Sequence, residues 1–343
     1  MSAVTNYFEK LGSNFLVSAM APSLAMVVAC IFVFDPFLNA AHFILHPQGT
    51  QQLVSVGVII LIFTIVIGFT LTALNTFILK MFEGYVTLPQ IQFIYDKAKR
   101  MHMRKAHRLI QHRDKLKKYI RDMEDKGNAA GVEDELEDLK VRYYQSAAFY
   151  NQSYPEDLAD VLPTRFGNTL KAAENYPGER YGFDGVQMWP RLVHVIPKDY
   201  KESIDSVRNE LSFLANMSIL SVFFAFLCIA AFFYTMFTIE GAGSSPSVYF
   251  DFLEKGAPYL LLTGAAFLVA RFFYNASIFS VGSFGLMIRS SFDLFRLDLL
   301  KQLGQKRPID SIDEFEKWEM LNELIVLGGH SLTFTKLDYR KEE

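Results

Sequence analysis

The apolar run from Pro258 to Ile288 constrains this chain more than any other stretch. It is 31 residues long and its only charged residue is Arg271. As a helix with a rise of ~1.5 Å per residue it would extend about 46 Å, whereas the hydrocarbon core of a bilayer is roughly 30 Å thick. The run therefore predicts a helix that crosses a membrane and continues beyond it.

Arg271 defines one face of that helix. A lone guanidinium near the middle of a span costs ~2.5 kcal/mol or more unless protein or water shelters it. No Asp or Glu lies within an apolar run of the chain to neutralise it, and Asn275 follows one turn later. We therefore predict that Arg271 and Asn275 face a polar interior and not lipid.

Three further apolar runs accompany this one, so the sequence predicts four transmembrane helices in two hairpins. The spans are about 15–34 and 53–79 in the first hairpin (residues 1–84), and about 211–237 and 258–282 in the second (residues 211–288). Half of all residues are hydrophobic and 32 are Phe, which is typical of an integral membrane protein. We interpret the first run as a retained span and not as a signal peptide.

The distribution of basic residues gives an orientation. Lys80 follows the second span, and twelve Lys or Arg lie between Lys97 and Lys126, whereas residues 37–52 contain neither. By the positive-inside rule the basic side is cytoplasmic, which places both termini in the cytoplasm. We expect a multi-pass protein of a cell inner membrane, with the lipid bilayer as its first partner.

The second span carries a stripe of small and polar residues, Thr64, Gly68, Thr72 and Asn75, at steps of 4, 4 and 3. This stripe has two interpretations. It lines a water-filled pathway together with Arg271, or its small residues let neighbouring helices approach closely.

Residues 85–210 predict a cytoplasmic helical domain that starts with an antiparallel coiled-coil hairpin over 88–150. Gly84 is a natural helix stop, and apolar residues then recur near a heptad on two segments joined by a turn at 127–131. They are Ile94, Ala98, Met101, Leu109, Leu116, Ile120 and Met123, then Leu136, Leu139, Tyr143, Ala147 and Tyr150. Because acidic residues interleave with the bases and dominate the hairpin tip, we expect no nucleic-acid partner.

Residues 154–197 form a Pro-rich compact part, for which we predict short helices and turns. It contains a dense polar cluster: Arg165, Asn168, Glu174, Glu179, Arg180, Asp184 and Arg191. Such residues can bind a phosphorylated ligand or act as acids and bases, but they also form ion pairs between short helices. The chain carries none of the common nucleotide-binding or hydrolase motifs. We therefore predict no catalytic residues and no cofactor.

Metal ligands are also not expected. His42 and His46 have a metal-capable spacing without a third ligand nearby, and Cys30 and Cys228 lie within apolar runs. At the C-terminal end, residues 289–343 predict cytoplasmic helices: a stalk that ends at Pro308 and a helix capped at Ser311 that runs to about Leu327. A short strand is predicted over Leu332 to Tyr339.

The segment PTRFGNTLKAAENYPGERYGFDGVQMWPRL, from Pro163 to Leu192, resembles a cytoplasmic segment of uncharacterised bacterial four-helix integral membrane proteins. This resemblance implies a bacterial inner-membrane protein and no particular activity. At the level of topology alone, the predicted arrangement is similar to bestrophin-type channels, which are pentamers. That similarity implies a homo-oligomer.

Three functions fit these observations. The leading hypothesis is a homo-oligomeric protein that forms or gates an ion-conducting pore, because four helices of one chain cannot enclose a continuous water path. The alternative is a membrane-anchored scaffold or sensor whose cytoplasmic hairpin recruits a protein partner. The third is a membrane-bound enzyme that uses the polar cluster of residues 163–194.

Overall fold

The structure, a computed structural model, describes residues 15–34, 49–85, 92–125, 132–238 and 252–327. The described helices are α1 (Leu16–Val33, beginning with the π-helical turn Leu16–Met20), α2 (Thr50–Glu83), α3 (Gln92–Glu124), α4 (Val132–Ser153), α5 (Arg165–Tyr181), α6 (Gly185–Val195), α7 (Lys198–Thr238), α8 (Ala257–Gln302) and α9 (Ser311–Leu327). These residues contain no strand, which confirms the all-α class. The predicted strand at Leu332–Tyr339 and the pair His42 and His46 lie outside the described residues.

Four of these helices, α1, α2, α7 and α8, are long and apolar enough to cross a membrane. Helices α7 and α8 contain 41 and 46 residues, so both exceed the ~20 residues that a span requires. The prediction that the run from Pro258 to Ile288 continues as one long helix is therefore confirmed by α8.

Contacts between α-carbons divide the chain into two compact units. The first consists of Met1–Lys80 and Arg208–Ser280, and the second of Met81–Val207 and Val281–Glu343. Helices α2, α7 and α8 contribute residues to both.

In the first unit, helices are joined by hydrogen bonds from side chains to backbone carbonyls. Asn216 of α7 donates to the carbonyl oxygen of Ser18 at 2.7 Å, and Ser218 of α7 donates to that of Ala270 in α8 at 3.0 Å. Bonds of this kind satisfy polar groups where water is excluded, and each contributes about 1 kcal/mol to helix association.

The core of the second unit is aromatic. Phe183, Met188, Phe292 and Trp318 come from the α5–α6 connection, α6, α8 and α9, and each is at most 1% exposed. The rings of Phe183 and Trp318 have centroids 4.5 Å apart. Burying such side chains contributes roughly 1.5–3 kcal/mol each, which fixes α6 and α9 against the C-terminal part of α8.

Helices α3 and α4 pack against each other in antiparallel orientation. Lys140 of α4 pairs with Glu124 of α3 at 2.7 Å near the turn, and Arg113 lies over the ring of Tyr150 further from it. The heptad pattern is wrong at the start of α3, where Ile94 and Met101 are 63% and 59% exposed. His102 and Ala106 are buried there instead.

The Pro-rich part has longer helices than predicted, since Pro177 lies inside α5 and Pro190 inside α6. Helix α5 begins after Thr164, whose hydroxyl accepts a hydrogen bond from the Gly167 amide, and ends at Gly182 with a left-handed φ of 88°. A proline removes one backbone donor, but Pro177 is buried against the start of α6, so tertiary contact holds α5 in place there.

The ends of α8 and α9 also differ from the prediction. Helix α8 stops at Gln302, before Pro308, because Gly304 takes a left-handed φ of 73° and the Gln305 amide donates to the carbonyl of Leu300. Helix α9 is capped by Asp310 and not by Ser311. The Asp310 carboxylate accepts hydrogen bonds from the amides of Ile312 and Asp313, both at 2.9 Å.

Candidate functional site

One face of α8 is not covered by the other residues that the structure describes. Arg271 is exposed, with its guanidinium carbon 5.8 Å from the ring centroid of Tyr274, and Asn275 is half-buried. On the same face Leu268 is 74% exposed, and a β-carbon added at Gly264 would meet no atom within 4 Å. The described part of the chain thus leaves a cationic side chain open in the middle of an apolar helix.

The stripe on α2 passes from buried to exposed. Thr64 is 2% exposed and its hydroxyl has no partner among the described residues, while Gly68 lies against the ring of Phe15. Thr72 is exposed and donates to the Gly68 carbonyl at 3.0 Å. Asn75 is half-buried, with a buried and unpartnered Oδ1 in the described structure. The Gly68 part of the stripe therefore packs against the residues at the start of α1.

Asn168, from the predicted polar cluster, is fully buried, and its side chain acts as a clamp that holds the turn before α5. Its Oδ1 accepts the Leu162 amide at 2.7 Å, and its Nδ2 donates to the carbonyls of Leu162 and Thr164 at 2.8 and 2.7 Å. All these bonds satisfy the turn before α5. Asn168 is therefore occupied by the fold and is not free for a ligand.

Pro163 and Thr164, which precede α5, contact the end of α2. The Thr164 hydroxyl lies 2.7 Å from the carbonyl oxygen of Phe82, to which it donates. A β-carbon at Gly84, which has a φ of 92°, would be 2.4 Å from Pro163. The Pro163 ring thus packs directly against Gly84, where a larger residue would not fit.

Glu174 and Asp184 line an acidic cleft of about 440 Å³, together with Glu156, Asp157, Glu179 and Lys171. Lys171 pairs with Glu174 at 3.8 Å, and burial raises the pKa of the Glu174 carboxyl. Asp184 also caps α6, since its carboxylate accepts the amides of Val186 and Gln187. No group of three metal-ligating side chains occurs within the ranges that the structure describes.

A second cavity, of about 300 Å³, is more basic. We call it the arginine pocket; its charged lining residues are Arg113, Arg180, Arg289, Glu156 and Glu179, and Tyr176 forms part of its wall. Of the predicted cluster, only Glu179 and Arg180 belong to it. The Glu179 carboxylate accepts the Glu156 amide at 3.2 Å, and its pKa is raised by burial.

Arg289 is one of the charged residues of this pocket, with Arg113 and Glu156, that the sequence did not single out. Its Nη2 donates to the carbonyls of Asn151 and Ala172 at 2.6 and 2.8 Å, so it connects α8 with α4 and α5. Four residues later Asp293 accepts the hydroxyls of Tyr176 and Tyr181. A signal was present: Arg289, Asp293 and Arg296 have i, i+4, i+7 spacing and share one helix face.

Two members of the predicted cluster lie outside both cavities. Arg165 is exposed. Burial lowers the pKa of His102, and the charge of Arg165 lowers it further. Arg191 is exposed and donates to the Gln187 carbonyl within α6. The seven residues that the sequence grouped together therefore separate into caps, a clamp, surface residues and the walls of two cavities.

These features define an all-helical protein with four helices of membrane-crossing length and a second unit that carries two polar cavities. Comparison of the chain with protein-family models, with curated proteins and with solved structures gives no match in any of the three.

Proposed function

We propose that the chain inserts its four long apolar helices in a membrane and assembles with copies of itself around an ion-conducting pore. The observation that carries this proposal is the exposure of Arg271 in the apolar part of α8. On the same face, a β-carbon added at Gly264 would meet no described atom within 4 Å.

The energetic argument concerns the guanidinium. Its described neighbour, the ring of Tyr274 at 5.8 Å, supplies a cation–π interaction of about 0.5–2 kcal/mol. That is less than the cost of at least ~2.5 kcal/mol for a charge at the bilayer centre. Other copies of α8 and the water between them provide the remaining stabilisation, because polar side chains in membranes face protein or a water-filled cavity.

The same charge suggests which ions pass. Arginine side chains repeated around a symmetry axis form a ring of positive charge, and such rings favour anions. The proposed pore is therefore anion-selective, with Arg271 at its selective position and Asn275 one turn further along α8.

Purified protein in planar bilayers tests this proposal. We expect the wild type to be oligomeric in detergent and to conduct, and Arg271→Leu to lose anion selectivity or conductance. Phe279→Leu is the matched control, because Phe279 is an 81% exposed apolar residue of the same helix and we expect it to conduct like the wild type. A monomeric wild type, or equal currents and reversal potentials in Arg271→Leu, would refute the pore.

A specific observation favours a second function, the recruitment of a protein partner by α3 and α4. Tyr119, Tyr144 and Phe149 on these helices are 60%, 66% and 48% exposed. Aromatic residues such as Tyr and Phe are enriched at protein interfaces. Deletion of residues 92–148 separates the two functions. If the scaffold proposal holds, the deletion abolishes co-purification of a partner protein. If no protein co-purifies with the intact chain either, the scaffold proposal is contradicted.

A further inference from the structure

Two of the three arginines that line the arginine pocket lack an ion pair. Neither Arg180 nor Arg289 forms one within 4 Å in the part of the chain that the structure describes. The third, Arg113, pairs with Asp114 at 3.1 Å, and two carboxylates also line the cavity. A partly buried charge of this kind requires a counter-charge or hydrogen-bond acceptors.

Arg289 is held in a fixed orientation. The carbonyls of Asn151 and Ala172 bind only its Nη2, and the ring of Tyr176 lies 5.2 Å from its guanidinium carbon. Its Nε is buried and has no hydrogen-bond partner among the described residues. A planar guanidinium is thus fixed at the cavity wall, and its two described hydrogen bonds use only Nη2.

We propose that the arginine pocket binds a small anion through a phosphate group. Guanidinium groups recognise phosphate because their parallel N–H donors match its oxygens, and Arg180 and Arg289 bring such groups from two different helices, α5 and α8. A volume of about 300 Å³ is at the lower end of the range for ligand cavities, which suits a phosphate or a compact phosphate monoester.

Glu156 and Glu179 also line this cavity. The Glu179 carboxylate accepts the Glu156 amide, and burial raises its pKa. The adjoining acidic cleft shares Glu156 and Glu179 with the pocket, so these two side chains form a boundary between regions of opposite charge. The phosphate binds on the arginine side of that boundary.

The test uses the full-length protein in detergent, with inorganic phosphate titrated against chloride at constant ionic strength. We expect a saturable rise in the unfolding temperature, followed by tryptophan fluorescence, and saturable heat in calorimetry. Arg180→Gln should weaken binding about tenfold, which corresponds to one charge-assisted hydrogen bond. Because Arg180 is exposed and makes no described hydrogen bond, this variant should unfold at the wild-type temperature without phosphate.

Arg142→Gln is the matched control, since Arg142 is an exposed arginine of α4 outside the pocket. It should bind phosphate like the wild type. Nanodiscs with and without phosphatidic acid distinguish a lipid headgroup from free phosphate: stabilisation by this lipid that Arg180→Gln reduces also supports the proposal. No saturable effect of either source, or equal weakening by Arg142→Gln, would overturn it.

Discussion

The carbonyl oxygen of Glu83, the last residue of α2, lies so close to Gly167 of α5 that a β-carbon at position 167 would be 2.2 Å from it. Contacts this short are not seen for real β-carbons, so a larger residue would force the two backbones apart. Position 167 therefore requires glycine because of this close approach. Backbone conformation is not the reason, since the φ of Gly167 is not in the left-handed region.

Gly167→Ala should consequently destabilise the protein by roughly 1–3 kcal/mol, as overpacking of a tight contact does. Gly178→Ala provides a control in the same helix, because its β-carbon would approach its nearest neighbour only to 3.5 Å. Alanine is the better helix former, so this control should be neutral or stabilising by up to ~1 kcal/mol. Thermal unfolding followed by tryptophan fluorescence measures both, and a Gly167→Ala protein as stable as Gly178→Ala would contradict the contact.

The base of the α3–α4 pair contains a titratable group that should make stability depend on pH. His102 is 6% exposed, and its Nδ1 lies 3.1 Å from the hydroxyl of Tyr154. Burial, and then the charges of Lys105 and Arg165, lower the pKa of His102 below its ordinary value of 6.5. The unfolded chain therefore binds the proton more tightly than the folded protein.

The neutral His102 side chain contributes fully to the free energy of unfolding above pH 6.5. That contribution is lost as the pH falls from there through the lower pKa of His102 in the folded state. His102→Gln keeps a polar side chain but does not titrate, so its unfolding temperature should fall less between pH 7 and pH 5 than that of the wild type. The exposed His107 provides the control His107→Gln, which should follow the wild type. An unchanged pH dependence in His102→Gln would exclude this role.

His102 also illustrates why the start of the seam of α3 was predicted at the wrong positions. A search for apolar periodicity passes over a histidine and selects Met101, which is exposed. The histidine is buried because Tyr154, 52 residues later in the chain, supplies a hydrogen-bond partner. Only tertiary structure brings that partner into place, whereas the long apolar runs identified four membrane-length helices from the sequence alone.

The polar cluster shows the same limit. The density of charge in residues 163–194 was visible, but several roles were decided by partners elsewhere, such as the Phe82 carbonyl for Thr164 and the Glu156 amide for Glu179. Arg289 was missed because its acceptors are backbone carbonyls, which carry no sequence signal. Residue type thus predicted the presence of a polar region and not the geometry of its two cavities.

The ion pair between Arg296 of α8 and Glu314 of α9 should stabilise the second unit. The two side chains are 18% and 13% exposed, Nε lies 2.8 Å from Oε1, and the guanidinium carbon is 4.2 Å from the ring centroid of Tyr181. Removing one member of a largely buried pair leaves the other charge without compensation.

We expect Glu314→Gln to cost about 2–4 kcal/mol of unfolding free energy. Asp138→Asn is the control, because its pair with Arg142 is exposed and long, at 3.8 Å, and should contribute about 0–1 kcal/mol. Chemical denaturation followed by tryptophan fluorescence suits the comparison, since Trp318 lies on α9 and is fully buried. Similar losses in the two variants would show that the Arg296 pair has no special importance.

The proposed assembly makes a further prediction about Gly264, which is exposed on the Arg271 face of α8 and has no atom within 4 Å of an added β-carbon. If copies of α8 approach each other there, a large side chain will separate them, because close helix contacts in membranes depend on small residues. Gly264→Leu should therefore lower the oligomeric state in detergent, measured by light scattering during size-exclusion chromatography. Gly57→Leu on α2 is the matched control, as Gly57 is equally open and its replacement should leave the assembly intact. A Gly264→Leu protein with the wild-type mass would place the contact between copies on another face and leave Arg271 to be sheltered by water alone.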